Sequence, residues 1–300
     1  MPCPAPGTIS LMPPKPRILA GERPHSAHAD GLIIDWHSHS YFSDGRATHE
    51  AMIAQASRHG VVLGLSDHIL MDNPRLQSVE ELTGYMTALS ALPVVVGAEV
   101  SVGDVSDEAQ VAIASGVLDE FDYLIASLHQ VDLPQGRVTA AAYLNWRFGM
   151  YPRYVPTVVQ YDRRDYFDEW LRMLAITLKT MPVRILGHFA LFPEQADATG
   201  TSLAAIDPTA DPEPDSLARE WLDATIDLCL RHDVAIELNS KSRVPHRQFI
   251  ERAAERGARF SLGSDAHHLE RAGDIGFGRA ILHELGIGNE RVLSGTDLDA

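Results

Sequence analysis

Seven short apolar runs punctuate the chain, at residues 32–36, 61–65, 94–100, 123–128, 183–186, 234–238 and 259–262. Each has the length of a strand and few polar interruptions, the pattern of strands covered on both faces. Between them the apolar positions fall at helical spacing, over 48–59, 79–91, 106–114, 164–181, 216–232, 245–256 and 271–285. Thr48, Ser78 and Ser106 stand where an N-cap oxygen is needed, and Gly60, Gly257 and Gly286 where helices commonly stop. Alternation of strand and helix along the whole chain predicts an α/β fold with a parallel sheet.

Polar residues of metal-binding type sit just where these runs end. Asp35-Trp36-His37-Ser38-His39 follows the first run, Leu65-Ser66-Asp67-His68 the second and Gly263-Ser264-Asp265-Ala266-His267 the last. Side chains two apart on an extended backbone point the same way, so His37 and His39 can grip one ion, and Asp265 and His267 offer an oxygen and a nitrogen ligand. Asp44, Glu99, His129 and His188 lie at or shortly after the ends of other runs. A lone His-x-His is weak; recurrence at strand ends is not, because a parallel barrel builds its site at the carboxyl ends of its strands. Histidines that merely fill a core or a surface would not share that placement. Imidazole with carboxylate suits Zn, Mn or Fe.

In these motifs, together with Ser43-Asp44-Gly45, Gly97-Ala98-Glu99, Ser127-Leu128-His129, Gly187-His188 and Glu237-Leu238-Asn239-Ser240, the chain resembles the polymerase and histidinol phosphatase superfamily, the PHP domain, over about residues 32–286. The resemblance implies a single distorted seven-stranded β/α barrel and two to three divalent ions. One ion would be held by His37, His39, Glu99 and Asp265, and a second by Asp44, His68 and His267. A third would take His129 and His188, with Glu99 bridging. Relatives use either Asp or His at the position of Asp44. Of these residues Asp265, His267 and Glu99 are assigned to catalysis as well as to metal. The run from Glu237 to Ser240 and the block from Gly263 to His267 look like the histidinol-phosphatase branch. Those enzymes typically follow the equivalent of His188 with a pair ending in Asp, whereas Phe189-Ala190 stands here, which leaves the substrate open.

Charge points to the chemistry. Three divalent ions against Asp44, Glu99 and Asp265 leave an excess of about three positive charges, a pocket for an anion, and water between two such ions ionises near neutrality. Hydrolysis of a phosphate ester fits, with L-histidinol phosphate the leading candidate. A phosphodiesterase, a nucleotide phosphatase, a nuclease or a carbon-nitrogen hydrolase are the rivals on the same metals, and a non-catalytic metal-stabilised module the rival of another class; nine retained ligand candidates favour catalysis. Asp67 is expected either to orient His68 or a ligand water, or to cap a strand end. Arg243, in the loop after the one strand end without a candidate metal ligand, is the favoured phosphate contact, with Lys241, His246 and Arg46 as further candidates.

Composition narrows the partner. Acidic side chains number 41 against 25 basic ones, a net charge of −16, so the general field repels a nucleic-acid backbone and favours a small phosphorylated metabolite. Only Cys3 and Cys229 are present, so no disulfide framework is implied and a reducing cytoplasm is the default. Residues 1–31 read as a Pro-rich, disordered tail without a signal peptide, and no segment is suited to a bilayer. Residues 32–300 read as one domain carrying an aromatic-rich insertion at about 132–180, either a lid over substrate or a packing or dimer contact. The acidic stretch 194–215 reads as a solvated connection. Oligomeric state stays open, with a homo-oligomer among the alternatives.

Overall fold

A computed structural model of the chain describes residues 32–134, 136–139, 162–189 and 216–298. Seven strands form one parallel sheet: β1 (Ile34–Asp35), β2 (Val62–Leu65), β3 (Val95–Ser101), β4 (Tyr123–Ser127), β7 (Val183–Gly187), β8 (Ala235–Asn239) and β9 (Phe260–Gly263), hydrogen-bonded in that order. The sheet curls until its ends meet. Trp36 N–H donates to Leu262 O at 2.9 Å, Asp265 N–H to His37 O at 2.7 Å and His39 N–H to Ala266 O at 2.9 Å, so β1 and β9 are joined at their carboxyl ends. The result is a nearly closed barrel: its parallel sheet is what the alternation of strand and helix predicts, and its closure what the resemblance implies.

Seven α-helices accompany these strands among the described residues: α1 (His49–Arg58), α2 (Val79–Ser90), α3 (Asp107–Ser115), α4 (Arg163–Thr180), α5 (Ser216–His232), α6 (Arg247–Glu255) and α7 (Gly276–Glu284). The expected caps operate. Thr48 Oγ1 accepts from Ala51 N–H and Ser106 Oγ from Ala109 N–H, while Ser78 and Glu81 exchange bonds in a capping box. The last helix is shorter than its apolar pattern suggests. Gly273 adopts φ +82°, a left-handed turn that separates a short 3₁₀ turn at Leu269–Arg271 from α7.

Strand parity sorts the interior. Val95, Gly97, Glu99 and Ser101 alternate along β3 and face inward, and the same face of β4 carries Tyr123, Ile125 and Ser127. Low in the barrel this interior is apolar, built from Ile34, Trp36, Val95, Tyr123, Ile125, Ile185 and Ala235. Gly64 and Gly97 make room for the Tyr123 ring, which a Cβ at Gly97 would meet at 2.2 Å, and the Tyr123 hydroxyl donates to Trp36 O at 2.7 Å. At the carboxyl ends the same inward positions turn polar, and the candidate site stands on that apolar plug.

A hairpin absent from the sequence reading, β5 (Gln130–Leu133) with β6 (Gly136–Thr139), follows β4 and stays outside the barrel sheet. In the aromatic-rich stretch, Tyr166, Phe167 and Trp170 on α4 are buried; Phe167 stacks on Trp221 at 4.7 Å and Trp170 meets the same indole edge-on. These three pack the barrel's outer layer. Tyr143, Trp146, Phe148, Tyr151, Tyr154 and Tyr161 lie outside the described residues, as do the N-terminal tail, Cys3 and the stretch 194–215. Cys229 is a buried core thiol that burial pushes up to about 12, which makes it inert. No helix among the described residues is long and apolar enough to cross a membrane.

Candidate metal centre

Glu99 stands inward near the top of β3 with no exposed surface, and five imidazoles converge on it. Its Oε1 lies 3.4 Å from His37 Nε2, 3.4 Å from His129 Nε2 and 3.1 Å from His188 Nε2. Its Oε2 lies 3.6 Å from His39 Nε2 and 2.8 Å from His68 Nδ1. Those last two atoms are close yet misaligned, and both Glu99 Oε2 and His68 Nδ1 lack a hydrogen bond. His37 Nε2 and His39 Nε2 face each other at 3.1 Å. Lone pairs crowded around a fully buried carboxylate are costly unless a cation shares them, so this donor set fits divalent metal.

Four overlapping sets each place ligand atoms within 4.8 Å of one another: His37, His39 and Glu99; His39, Asp44, His68 and His267; Glu99, His129 and His188; and His68, Asp72 and His129. Asp44 closes the second set from the β1–α1 loop, its Oδ2 3.1 Å from His267 Nε2. Asp265 stands beside the sets rather than within one. Its Oδ1 is 3.5 Å from His39 Nε2 and 3.0 Å from the Lys241 ammonium. All nine predicted ligand residues therefore share one end of the barrel, and Asp72 joins them.

The PHP domain family matches residues 35–241. The chain belongs to the PHP domain family. PHP domains bind divalent metals, in keeping with the donor sets above. Among curated proteins no sequence matches. Among solved structures, the crystal structure of a candidate histidinol phosphatase, HisK of Listeria monocytogenes, is similar in fold, with a TM-score of 0.60 and 15% identity over 82% of this chain and 99% of that one.

Around these donor sets a layer of carboxylates holds the candidate ligands in place. Glu237, wholly buried on β8, accepts from His37 Nδ1 at 2.8 Å through Oε1 and from the His188 backbone N–H through Oε2. His188 has φ 23°, a conformation a non-glycine residue keeps only when its surroundings hold it. One acid thus fixes the tautomer of His37, leaving Nε2 for metal, and pins the backbone of a ligand from another set. Asp72 does the same for His129, its Oδ2 3.0 Å from Nδ1 and 2.6 Å from Ser101 Oγ. Asp35 accepts from Ser264 N–H at 2.8 Å, Ser264 Oγ at 2.6 Å and Gly273 N–H at 2.9 Å, tying the first ligand strand to the last. Asp67 turns out to clamp the Ser40–Ser43 turn, through Ser40 N–H and Oγ and Ser43 N–H and Oγ, instead of orienting His68. These four donors come from the loop that delivers Asp44, and the Tyr85 hydroxyl on α2 adds a fifth at 3.2 Å.

None of these supporting roles was read from the sequence. Glu237 had one signal, a lone acid at an inward position of an otherwise apolar strand, where only a buried partner could compensate it. Asp72 had none, since its partner lies 57 positions away.

The proposed substrate contacts divide. Lys241 reaches the cluster, 3.0 Å from Asp265 Oδ1 and 3.2 Å from His267 Nδ1. Arg243 and Arg46 are exposed, on loops after β8 and β1. His246 is buried as the N-cap of α6, its Nδ1 accepting from Phe249 N–H at 3.4 Å, which is a structural duty.

Electrostatics in the metal-free protein follow from this crowding. Burial works against the Glu99 carboxylate, but His68, His37 and His129 hold it well below the usual range. Burial likewise opposes charge on His129 and His267, yet Glu99 and Asp72 raise the former to about 10, and Asp265 and Asp44 raise the latter to about 9. Both imidazoles therefore hold a proton at neutral pH and must surrender it to bind metal. Burial is outweighed in the same way at His37, by Glu237 and Glu99, so metal uptake at about pH 7.5 is expected to release protons, and apparent affinity to rise with pH until these imidazoles are neutral. Calorimetry of Zn(II) binding in buffers of different ionisation enthalpy checks this; an observed enthalpy independent of buffer contradicts it.

Proposed function

We propose that this PHP protein is a metal-dependent phosphomonoesterase acting on a small phosphorylated metabolite. The observation that carries the reading is one fully buried carboxylate, Glu99, ringed by five imidazoles at a centre whose outer members reach solvent. His37 and His39 are sealed, whereas the side chains of His68, His129 and His267 are 18%, 22% and 16% exposed and Asp44 is 49% exposed. Substrate therefore meets the centre along that outer edge. When bound, the ions polarise phosphoryl oxygens, stabilise developing charge and activate water at neutral pH.

The chain's own residues do the rest. Glu99 holds the sets together from the dry side, and Glu237 and Asp72 orient His37 and His129. Lys241 stands at the rim, and Arg243, the exposed residue of the loop above β8, presents a planar guanidinium suited to two phosphate oxygens together. The acidic remainder of the protein opposes a polynucleotide. L-histidinol phosphate is the leading single substrate, on the strength of the motifs and of the similar fold of HisK.

The test compares kcat/KM of the metal-loaded protein on histidinol phosphate, nucleoside monophosphates, a phosphodiester and short single-stranded DNA. A monoester should lead by a wide margin. Preference for the diester or DNA overturns the reading in favour of a diesterase or nuclease, and no turnover on any of them overturns it in favour of a binding module.

A further inference from the structure

Lys241 stands in an unusual place for a lysine: its side chain is only 14% exposed and its ammonium sits among metal-type donors. The loop that carries it is built to keep it there. Asn239 N–H donates to Val244 O at 2.9 Å, Ser242 N–H to Asn239 Oδ1 at 2.9 Å and Ser240 N–H to Gly263 O at 2.8 Å, which fold residues 239–244 tightly over the end of β8. Nζ then lies 3.0 Å from Asp265 Oδ1 and 3.2 Å from His267 Nδ1. The same Asp265 oxygen is 3.5 Å from His39 Nε2, and so faces the space shared by the innermost donors. A carboxylate that should complete a metal site is here partnered by the protein's own positive charge.

We propose that Lys241 is a resident cation of the centre: it competes with a metal ion for Asp265 and, once that ion is bound, gives the substrate's phosphoryl group a positive contact at the rim. It thereby lowers metal affinity and raises anion affinity. Like charge repels the incoming ion, while an ammonium displaced from its carboxylate retains three donors for phosphate oxygens. The first effect is independent of the reaction; the second rests on the phosphoesterase reading. A merely structural lysine predicts otherwise, since its loss would loosen the loop and weaken both ligands together.

The experiment uses the full chain, stripped of metal, with Lys241→Met, which keeps an unbranched stem one atom shorter without the charge, and Lys241→Arg, which keeps the charge. Zn(II) affinity is measured by competition with a chromophoric chelator, and inorganic phosphate affinity by calorimetry on zinc-saturated protein. Lys241→Met should bind zinc about tenfold or more tightly than wild type and phosphate about tenfold more weakly, a unit charge a few ångström away being worth at least that much. Lys241→Arg should stay closer to wild type than Lys241→Met on both measurements. Zinc affinity equal to or below wild type in Lys241→Met overturns the proposal, as does unchanged phosphate affinity. Failure of the phosphoesterase reading would show separately, as a wild-type protein that hydrolyses no phosphate ester while the zinc comparison stands.

Discussion

Replacing Glu99 with Gln is expected to empty the centre and abolish hydrolysis together. The carboxylate touches imidazoles from all four donor sets, its Oε1 within 3.4 Å of His37, His129 and His188 and its Oε2 within 3.6 Å of His39 and His68. A neutral amide of the same shape leaves packing untouched but removes the one negative charge at the middle of the imidazoles, and its NH₂ group points a donor where a cation should lie. Turnover on the best phosphate monoester should fall by about three orders of magnitude, ~4 kcal/mol of transition-state stabilisation. Metal content by elemental analysis should fall with it, and chelation of wild type should reproduce the loss. If Glu99→Gln retains wild-type metal content, the carboxylate is not the hub of the centre.

What the sequence disclosed and what it hid divide along the range of the interactions involved. Strand and helix positions were legible because they rest on local period and on caps such as Ser78 with Glu81, three residues apart. The candidate ligands could be picked out because a parallel barrel gathers strand ends whatever lies between, so His39 and His267 meet without any local signal linking them. The hairpin Gln130–Leu133 with Gly136–Thr139 escaped because Val131 and Leu133 alternate over too few positions to stand out beside the longer runs. The start of α7 was misjudged because the apolar spacing continues through Gly273, whose left-handed turn breaks the helix. Most hidden were pairings between distant polar residues: Glu237 with His37, Asp72 with His129, Lys241 with Asp265. Each residue type is ordinary on a surface, and only the fold reveals that these are paired with one another away from open solvent. Arg243, chosen for its place after β8, does lie in that loop, while Lys241 two residues earlier is the one that enters the cluster.

The same chemical change, glycine to alanine, should have opposite consequences at two positions. Gly263 ends β9, where an added Cβ would lie 2.0 Å from Glu237 Oε1 and 2.9 Å from His37 Cβ. Its backbone is not left-handed, so an alanine there is strained only by what it meets. Glu237 cannot retreat easily, being fully buried and bonded to the His37 ring, the Asn239 amide and the His188 backbone at once. Gly263→Ala should therefore push the carboxylate off His37, releasing the ring from the tautomer that offers Nε2 to metal. Zinc affinity should drop about 10–100-fold, as for lost carboxylate support behind a ligating histidine, and overpacking should lower stability by about 1–3 kcal/mol. Gly84, exposed in the middle of α2, has nothing within 4 Å of such a Cβ. There the substitution removes only the freedom of the unfolded chain, and Gly84→Ala should raise stability by about 0.5–1 kcal/mol with zinc affinity unchanged. Chemical denaturation of the metal-free variants and chelator competition measure both quantities. Wild-type zinc affinity in Gly263→Ala would show that Glu237 does not govern His37, whatever the change in stability.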